Sequence, residues 1–248
     1  MHLRRRFAAT GAFIALVSLG AGAQDAPNPQ PAPFSNVFLS VGNAFTNVDA
    51  LNQRFSSTNY DAIAGHGFSI GGGGYVPYGR ALFGAEFHDA DFGYESTDLG
   101  RTNKMHSSYW MATVGYALFT TWQINVVGYL GVGEGSTVIT VSDRNGGTTV
   151  GTAVDPLFDD ILTSPGFESV ITGSYTVLQP GIGLDYLMLR SNHSHAGVTF
   201  GLRLGTTISP HRTAWSYEGR DVVGAPDAGP VGPFVRVSVG IGGFKLAK

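Results

Sequence analysis

Residues 106–133 read HSSYWMATVGYALF, then TT, then WQINVVGYLGVG, and no other stretch limits the fold so tightly. Taken in twos, Trp110, Ala112, Val114, Tyr116 and Leu118 share one face, while Ser107, Tyr109, Thr113, Gly115 and Ala117 share the other. After Thr120 and Thr121 the period resumes, with Trp122, Ile124, Val126, Gly128, Leu130 and Val132 opposed to Gln123, Asn125, Tyr129, Gly131 and Gly133. A period of two marks β-strands, and so short a connection makes them a hairpin. The apolar face runs on for about 9–11 residues and is fringed by Trp and Tyr, as in a strand that crosses a bilayer inside a barrel. A water-soluble sandwich would bury that face and charge the other more heavily.

Composition agrees. Charged residues are 13% of the chain, about half the share of a soluble domain, and 36 glycines accompany 12% aromatics. Lipid outside and a crowded interior ask for that mixture. No run of about 18 apolar residues offers a transmembrane helix. Cysteine is absent, which excludes disulfides, thiolate metal sites and a lipoprotein anchor.

Residues 1–23 read as a secretory signal: Arg4, Arg5 and Arg6, an apolar stretch over 7–19, and Ala21-Gly22-Ala23 for cleavage. Arg4-Arg5-Arg6-Phe7 loosely resembles a twin-arginine signal, but a barrel crosses the inner membrane unfolded, so the Sec route is expected. Removing the three arginines takes the formal net charge from −3 to −6, which argues against nucleic acid as a partner. Residues 24–35 are expected to be a disordered tail. The barrel is expected over 36–248.

Eight strands are predicted, over residues 36–45, 66–76, 81–92, the two of the hairpin (the second continuing to about 141), 169–188, 196–208 and 233–244. Val37, Leu39, Phe68, Ile70, Phe83, Phe87, Ile182, Leu184, Val198, Phe200, Val235 and Val237 fall on outward positions. The connections over 77–80, 120–121 and 189–195 are short, while those over 46–65, 93–105, 142–168 and 210–232 are long. A soluble sandwich has no reason to sort loops by parity. The fold class is therefore all-β: a transmembrane, antiparallel, up-and-down β-barrel with short periplasmic turns and long extracellular loops.

Strand count, period and loop parity over about 36–244 resemble the small eight-stranded outer-membrane barrels of the OmpA/OmpX type. The resemblance implies a monomer in the bacterial outer membrane, with outer-membrane lipid and lipopolysaccharide as neighbours. Such barrels end on an aromatic residue read by the assembly machinery. Here Phe244 is followed by Lys245-Leu246-Ala247-Lys248, so either Phe244 serves with a tail behind it or the signal is unusual.

Inside the wall fall Glu86, His88, Asp185, Arg203 and Arg236, with Glu86, Arg203 and Arg236 near mid-height and Asp185 lower. Buried charges need partners, and counting from the strand ends makes Glu86 the expected anion for Arg203, Arg236 or both. Such a cluster serves either as an ion gate or as a neutralised filling. The narrowness of an eight-stranded lumen favours the filling.

His106 and Ser108 share one face of their strand, and a loop centred near Leu99 would put Asp91 opposite His106 and Asp89 opposite Ser108. Ser, His and a carboxylate on the outer rim resemble the lipid A 3-O-deacylase barrels, which implies ester hydrolysis at the lipid boundary. Those enzymes place the acid after the His-x-Ser motif, whereas here it precedes. His193 and His195 lack a third ligand nearby, so neither a metal nor any cofactor is expected. The four glycines at 71–74 are followed by no Lys-Ser/Thr and no helix, so they serve crowding rather than phosphate. Asn192-His193-Ser194 matches a glycosylation sequon, which has little meaning in a periplasmic turn.

Asn145-Gly146 reads as the turn of a hairpin rising above the membrane. Asp155-Pro156 reads as the start of a short helix through Leu162, with Leu157, Phe158, Ile161 and Leu162 on one face. Such a loop either binds an extracellular partner or lids the barrel. The sequence points first to a structural or surface-interaction role in envelope integrity, adhesion or defence. Ester hydrolysis on lipid A or phospholipid comes second. OmpW-type transport of small hydrophobic molecules, third, would need an apolar inner cavity.

Overall fold

A computed structural model describes residues 32–96, 100–144, 156–165, 167–189 and 196–244. The signal, most of the tail, the Asn145-Gly146 turn, Asp155, the 190–195 turn with His193 and His195, and Lys245 to Lys248 lie outside the described residues.

The wall is built from β1 (Ser35–Thr46), β2 (His66–Tyr78), β3 (Ala81–Ser96), β4 (Arg101–Thr120), β5 (Ile124–Asp143), β6 (Ser169–Leu189), β7 (Ala196–Thr207) and β10 (Pro230–Gly243). Each pairs antiparallel with its neighbour. The order β5-β4-β3-β2-β1-β10-β7-β6 closes through β5 against β6. A small hairpin, β8 (Ser216–Tyr217) and β9 (Arg220–Asp221), is added to the start of β6. The barrel is closed, eight-stranded and up-and-down.

Alternation sets what each face meets. Val37, Leu39, Phe83, Phe87, Trp110, Val114, Val132, Ile182, Phe200 and Val237 are exposed on the outside. Phe38, Glu86, His88, Tyr109, Met111, Gln179, Asp185, Arg203 and Arg236 are buried inside. An apolar belt on the outside of a closed wall, around a polar interior, is stable only in lipid. No described helix is long and apolar enough to cross a membrane.

The connection after β3 is not long. Tyr94, Glu95 and Ser96 continue the strand opposite Lys104, Asn103 and Thr102, past a bulge after Asp91. Gly93, at φ 104°, allows the bulge, and its N–H donates to Asp91 Oδ1 at 3.0 Å. What read as loop is a hairpin standing above the belt. The long connections are residues 47–65, 144–168 and 208–229. Gln123 is exposed in the β4–β5 turn and does not fill the lumen.

The long connections fold inward. The first carries α1 (Asp49–Ser57), which the sequence pattern does not predict, and the second carries α2 (Phe158–Thr163). That helix starts later than Asp155-Pro156 predicts, because Val223 donates its N–H to the Pro156 carbonyl and Phe158 donates to Val223, holding Leu157 extended and exposed. Leu51, Phe55, Tyr60, Ile63, Phe158, Ile161, Leu162, Trp215, Tyr217 and Val222 form one core with Phe92, Met105, Ile139 and Ile171 of the strand tops. Each large side chain buried there contributes about 1.5–3 kcal/mol. Polar ties support it: Asn52 exchanges bonds with Ile63 at 2.9 and 2.8 Å, and Asn103 donates to the Asp61 carbonyl at 2.7 Å. The barrel thus has two storeys, a lipid-facing lower one and an upper one packed like a water-soluble domain.

Candidate functional site

The lumen is filled from end to end. At the turn end Phe34, fully buried, meets Phe244 edge-on at 5.8 Å, and Phe244 meets Trp122 at 5.8 Å. Phe34 and Phe244 flank the β1–β10 seam, while Trp122 lies in the β4–β5 turn on the opposite side. The aromatic bridge therefore spans the mouth.

Above it, Arg203 Nη2 sits 3.0 Å from Asp185 Oδ1 and donates to Oδ2 at 3.1 Å. Tyr75 donates to the same carboxylate and accepts from Arg203 Nη2 at 3.2 Å. The guanidinium lies 5.4–5.9 Å from the ring centres of Phe38, Tyr75 and Tyr129, which adds cation–π attraction to the ion pair. Gly183, directly opposite Arg203, leaves the room, since a Cβ there would collide with Arg203 Nη1.

The next layer holds Glu86, His88 and Arg236. His88 Nε2 is 3.0 Å from Glu86 Oε2 and 3.1 Å from Arg236 Nη1. One ring nitrogen either donates or accepts, so His88 serves one of these neighbours at a time. Arg236 also donates to Gln179 Oε1 at 3.1 Å and to the Tyr109 hydroxyl, and stacks 4.1 Å over Phe234. Gly71 and Gly73 face this layer, and a Cβ at Gly71 would collide with His88 Nδ1. That is the crowding the glycine run relieves. Higher still, Ser107 bonds Tyr175 at 2.7 Å beneath the apolar plug.

The five charged lumen residues thus share one column, with a different pairing from the one expected. The ion-pair partner of Arg203 is Asp185 and not Glu86, and Glu86 is held by His88. Strand-end counting gave heights but not rotation about the barrel. The β6–β7 register sets Asp185 two residues from Gly183, on the same inward face as Arg203. Tyr75, which the strand pattern marks as inward only through its parity with Gly71 and Gly73, joins this pair. A cavity of about 20 Å³ lies among Tyr75, Glu86, Thr113, Tyr129 and Arg203, room for roughly one water.

On the outer rim Asp89 stands opposite Ser108, and Asp91 opposite His106. His106 Nε2 bonds diagonally to Asp89 Oδ2 at 3.1 Å, while Asp91 faces Lys104 at 3.3 Å. These side chains are a third to a half exposed and lie one outward step above Phe87 and Trp110. Among the described residues Ser108 makes no side-chain hydrogen bond to His106, so the group has an oriented imidazole without an engaged nucleophile. Among the described residues no group of His and carboxylates is arranged to hold a metal.

No protein-family model matches this chain, and no curated protein does. Among solved structures it is similar to Ail, the attachment invasion locus protein of Yersinia pestis, at 11% identity over 86% of this chain and 99% of that one, with a TM-score of 0.43. It is also similar to Neisserial surface protein A, at 12% identity over 86% and 99% of the two chains and a TM-score of 0.39. A third similarity is to a major outer membrane protein from Thermus thermophilus, at 11% identity over 84% and 98%, with a TM-score of 0.39.

Proposed function

We propose that this chain is a Sec-exported, monomeric outer-membrane barrel that displays a folded surface to the exterior, for adhesion, defence or envelope integrity, among outer-membrane lipid and lipopolysaccharide. The observation that carries the reading is the upper core. Side chains of three long connections and of the strand tops are buried together above a lumen already packed with Arg203, Arg236, Tyr109 and Gln179. A transporter needs a continuous path, and the cavity beside Glu86 and Arg203, lined also by Leu82 and Val127, has room for about one water. A rigid upper storey instead fixes the shape of what a partner meets.

The test replaces residues 47–65, 144–168 and 208–229 by short turns and displays both proteins on cells lacking other adhesins. The trimmed barrel should still insert, and attachment to host surfaces or survival in serum should fall to the level of empty cells. Unchanged attachment and survival, with altered solute flux, would overturn the reading.

The His106–Asp89 bond supports a second reading, ester hydrolysis of lipid A or phospholipid at the rim with Ser108 as nucleophile. Mass spectra of membrane lipid from cells with wild type and with Ser108→Ala decide it. Identical acylation in both, and in cells without the protein, removes it.

A further inference from the structure

The outer wall of the upper storey carries apolar side chains that the buried core does not use. Next to β6, Tyr217 pairs with Ile171 and Arg220 with Tyr217, while the extended Leu157 bridges in parallel to Val223. Alternation along this ribbon sends Ile171, Tyr217, Val222 and Phe158 into the core. It leaves Val223 and Leu157 side by side and outward, 50% and 49% exposed, while Val170, 43% exposed, is outward on the other side of the polar row Thr172, Ser216 and Asp221. On β6 the outward residues between Val170 and the lipid-facing Leu178 are Thr172, Ser174 and Thr176. A polar belt thus separates Val170 from the membrane.

Carboxylates stand among these side chains. Asp160 lies three residues after Leu157, Glu168 two residues before Val170, and Asp221 two residues before Val223 on the same side of its strand; all three are exposed. None of the three has an ion-pair partner among the described residues. Arg54 is engaged by Asp159 at 2.6 Å and Arg220 by Glu218 at 3.0 Å. Carboxylates around apolar side chains repel anionic lipid headgroups and attract a cationic surface with an apolar face.

We propose that this ribbon is a docking surface for a basic amphipathic segment of another polypeptide. The partner's apolar residues cover Leu157 and Val223, and Val170 across the Thr172–Ser216–Asp221 row, and its Lys and Arg side chains meet Asp160, Glu168 and Asp221. The inference rests on the surface-display reading and names its class of partner.

The full barrel in nanodiscs of zwitterionic lipid is titrated with a fluorescent synthetic Leu/Lys amphipathic helix and followed by anisotropy. Saturable binding above that of empty nanodiscs is expected. It should weaken about tenfold in Leu157→Ser/Val223→Ser, as for truncated interface anchors. Asp160→Asn/Glu168→Gln/Asp221→Asn should weaken it similarly and flatten its salt dependence. Heat-modifiable mobility on gels verifies that each variant is folded. Binding no greater than to empty nanodiscs assigns the affinity to lipid and overturns the proposal. So does equal binding by both variants, or by oligolysine, which lacks an apolar face. If the Leu157→Ser/Val223→Ser barrel still supports cell attachment, the docking surface falls and surface display stands. If the trimmed barrel supports it too, surface display itself falls.

Discussion

Arg203 and Asp185 form an ion pair wholly inside the barrel, 3.0 Å apart, on neighbouring strands and beneath a cage of Phe38, Tyr75 and Tyr129. Asp185→Asn removes the charge and leaves the guanidinium facing a neutral amide. The expected loss is about 3–5 kcal/mol, read as a lower urea midpoint for folding into vesicles. A further Arg203→Met should recover part of it. Glu86→Gln keeps a hydrogen-bonding group beside His88 and should cost less, about 1–3 kcal/mol. A larger loss from Glu86→Gln than from Asp185→Asn would contradict the pairing.

The belt gives a second expectation. Val114, Leu184 and Val237 are 47%, 44% and 54% exposed and face lipid. Arginine at any of them should cost about 2–4 kcal/mol near the midplane. Arginine at inward Ser238 should be decided by packing and pairing. Equal tolerance of the two faces in vesicle-folding assays would show the facing to be wrong.

No lasting pore is expected. The aromatic bridge, the Asp185–Arg203 layer and the Glu86–His88–Arg236 layer obstruct the lumen in series. Planar-bilayer recordings of wild type and of the loop-trimmed barrel should both lack stable conductance, because the lower layers survive trimming. A steady open level in either would refute the filled lumen.

The upper core should loosen in alkali. Burial pushes the Tyr60 phenol up to about 12, against the pull of the neighbouring Arg101 guanidinium, and its hydroxyl has no hydrogen-bond partner among the described residues. An unfolded phenol titrates near 10, so the native state is the weaker acid. The Tyr60 contribution is whole below about pH 10 and is lost as pH rises through about 12. Protease sensitivity of the long connections should rise across that window, and Tyr60→Phe should shift the rise upward. An identical profile for the variant would exclude Tyr60 as the cause.

The wall was legible because a period of two is local. Val114, Leu184 and Val237 declare their side through their neighbours alone. The plug was not. α1 offers only Leu51 and Phe55 as buried apolar residues in a polar stretch, and what orders it is the distant Phe158, Ile161 and Trp215. The ion pairs were half legible. Composition showed that Arg203 and Arg236 needed inward partners, but choosing Asp185 over Glu86 takes the β6–β7 register, fixed by cross-strand bonding. On the rim, the spacing gave the strand-to-strand positions of Asp89, Asp91, His106 and Ser108, while the diagonal choice of His106 for Asp89 depends on side-chain rotamers.

The contact among Phe34, Trp122 and Phe244 bears on how the barrel comes to completion. Its rings belong to the beginning, the middle and the end of the wall, so the contact forms only after the last strand has been laid against the first. A chain stalled one strand short leaves Phe34 and Trp122 facing an unfinished gap at the turn end. The closing of that mouth is therefore a mark of the finished wall, present in a sealed barrel and absent from a partial one.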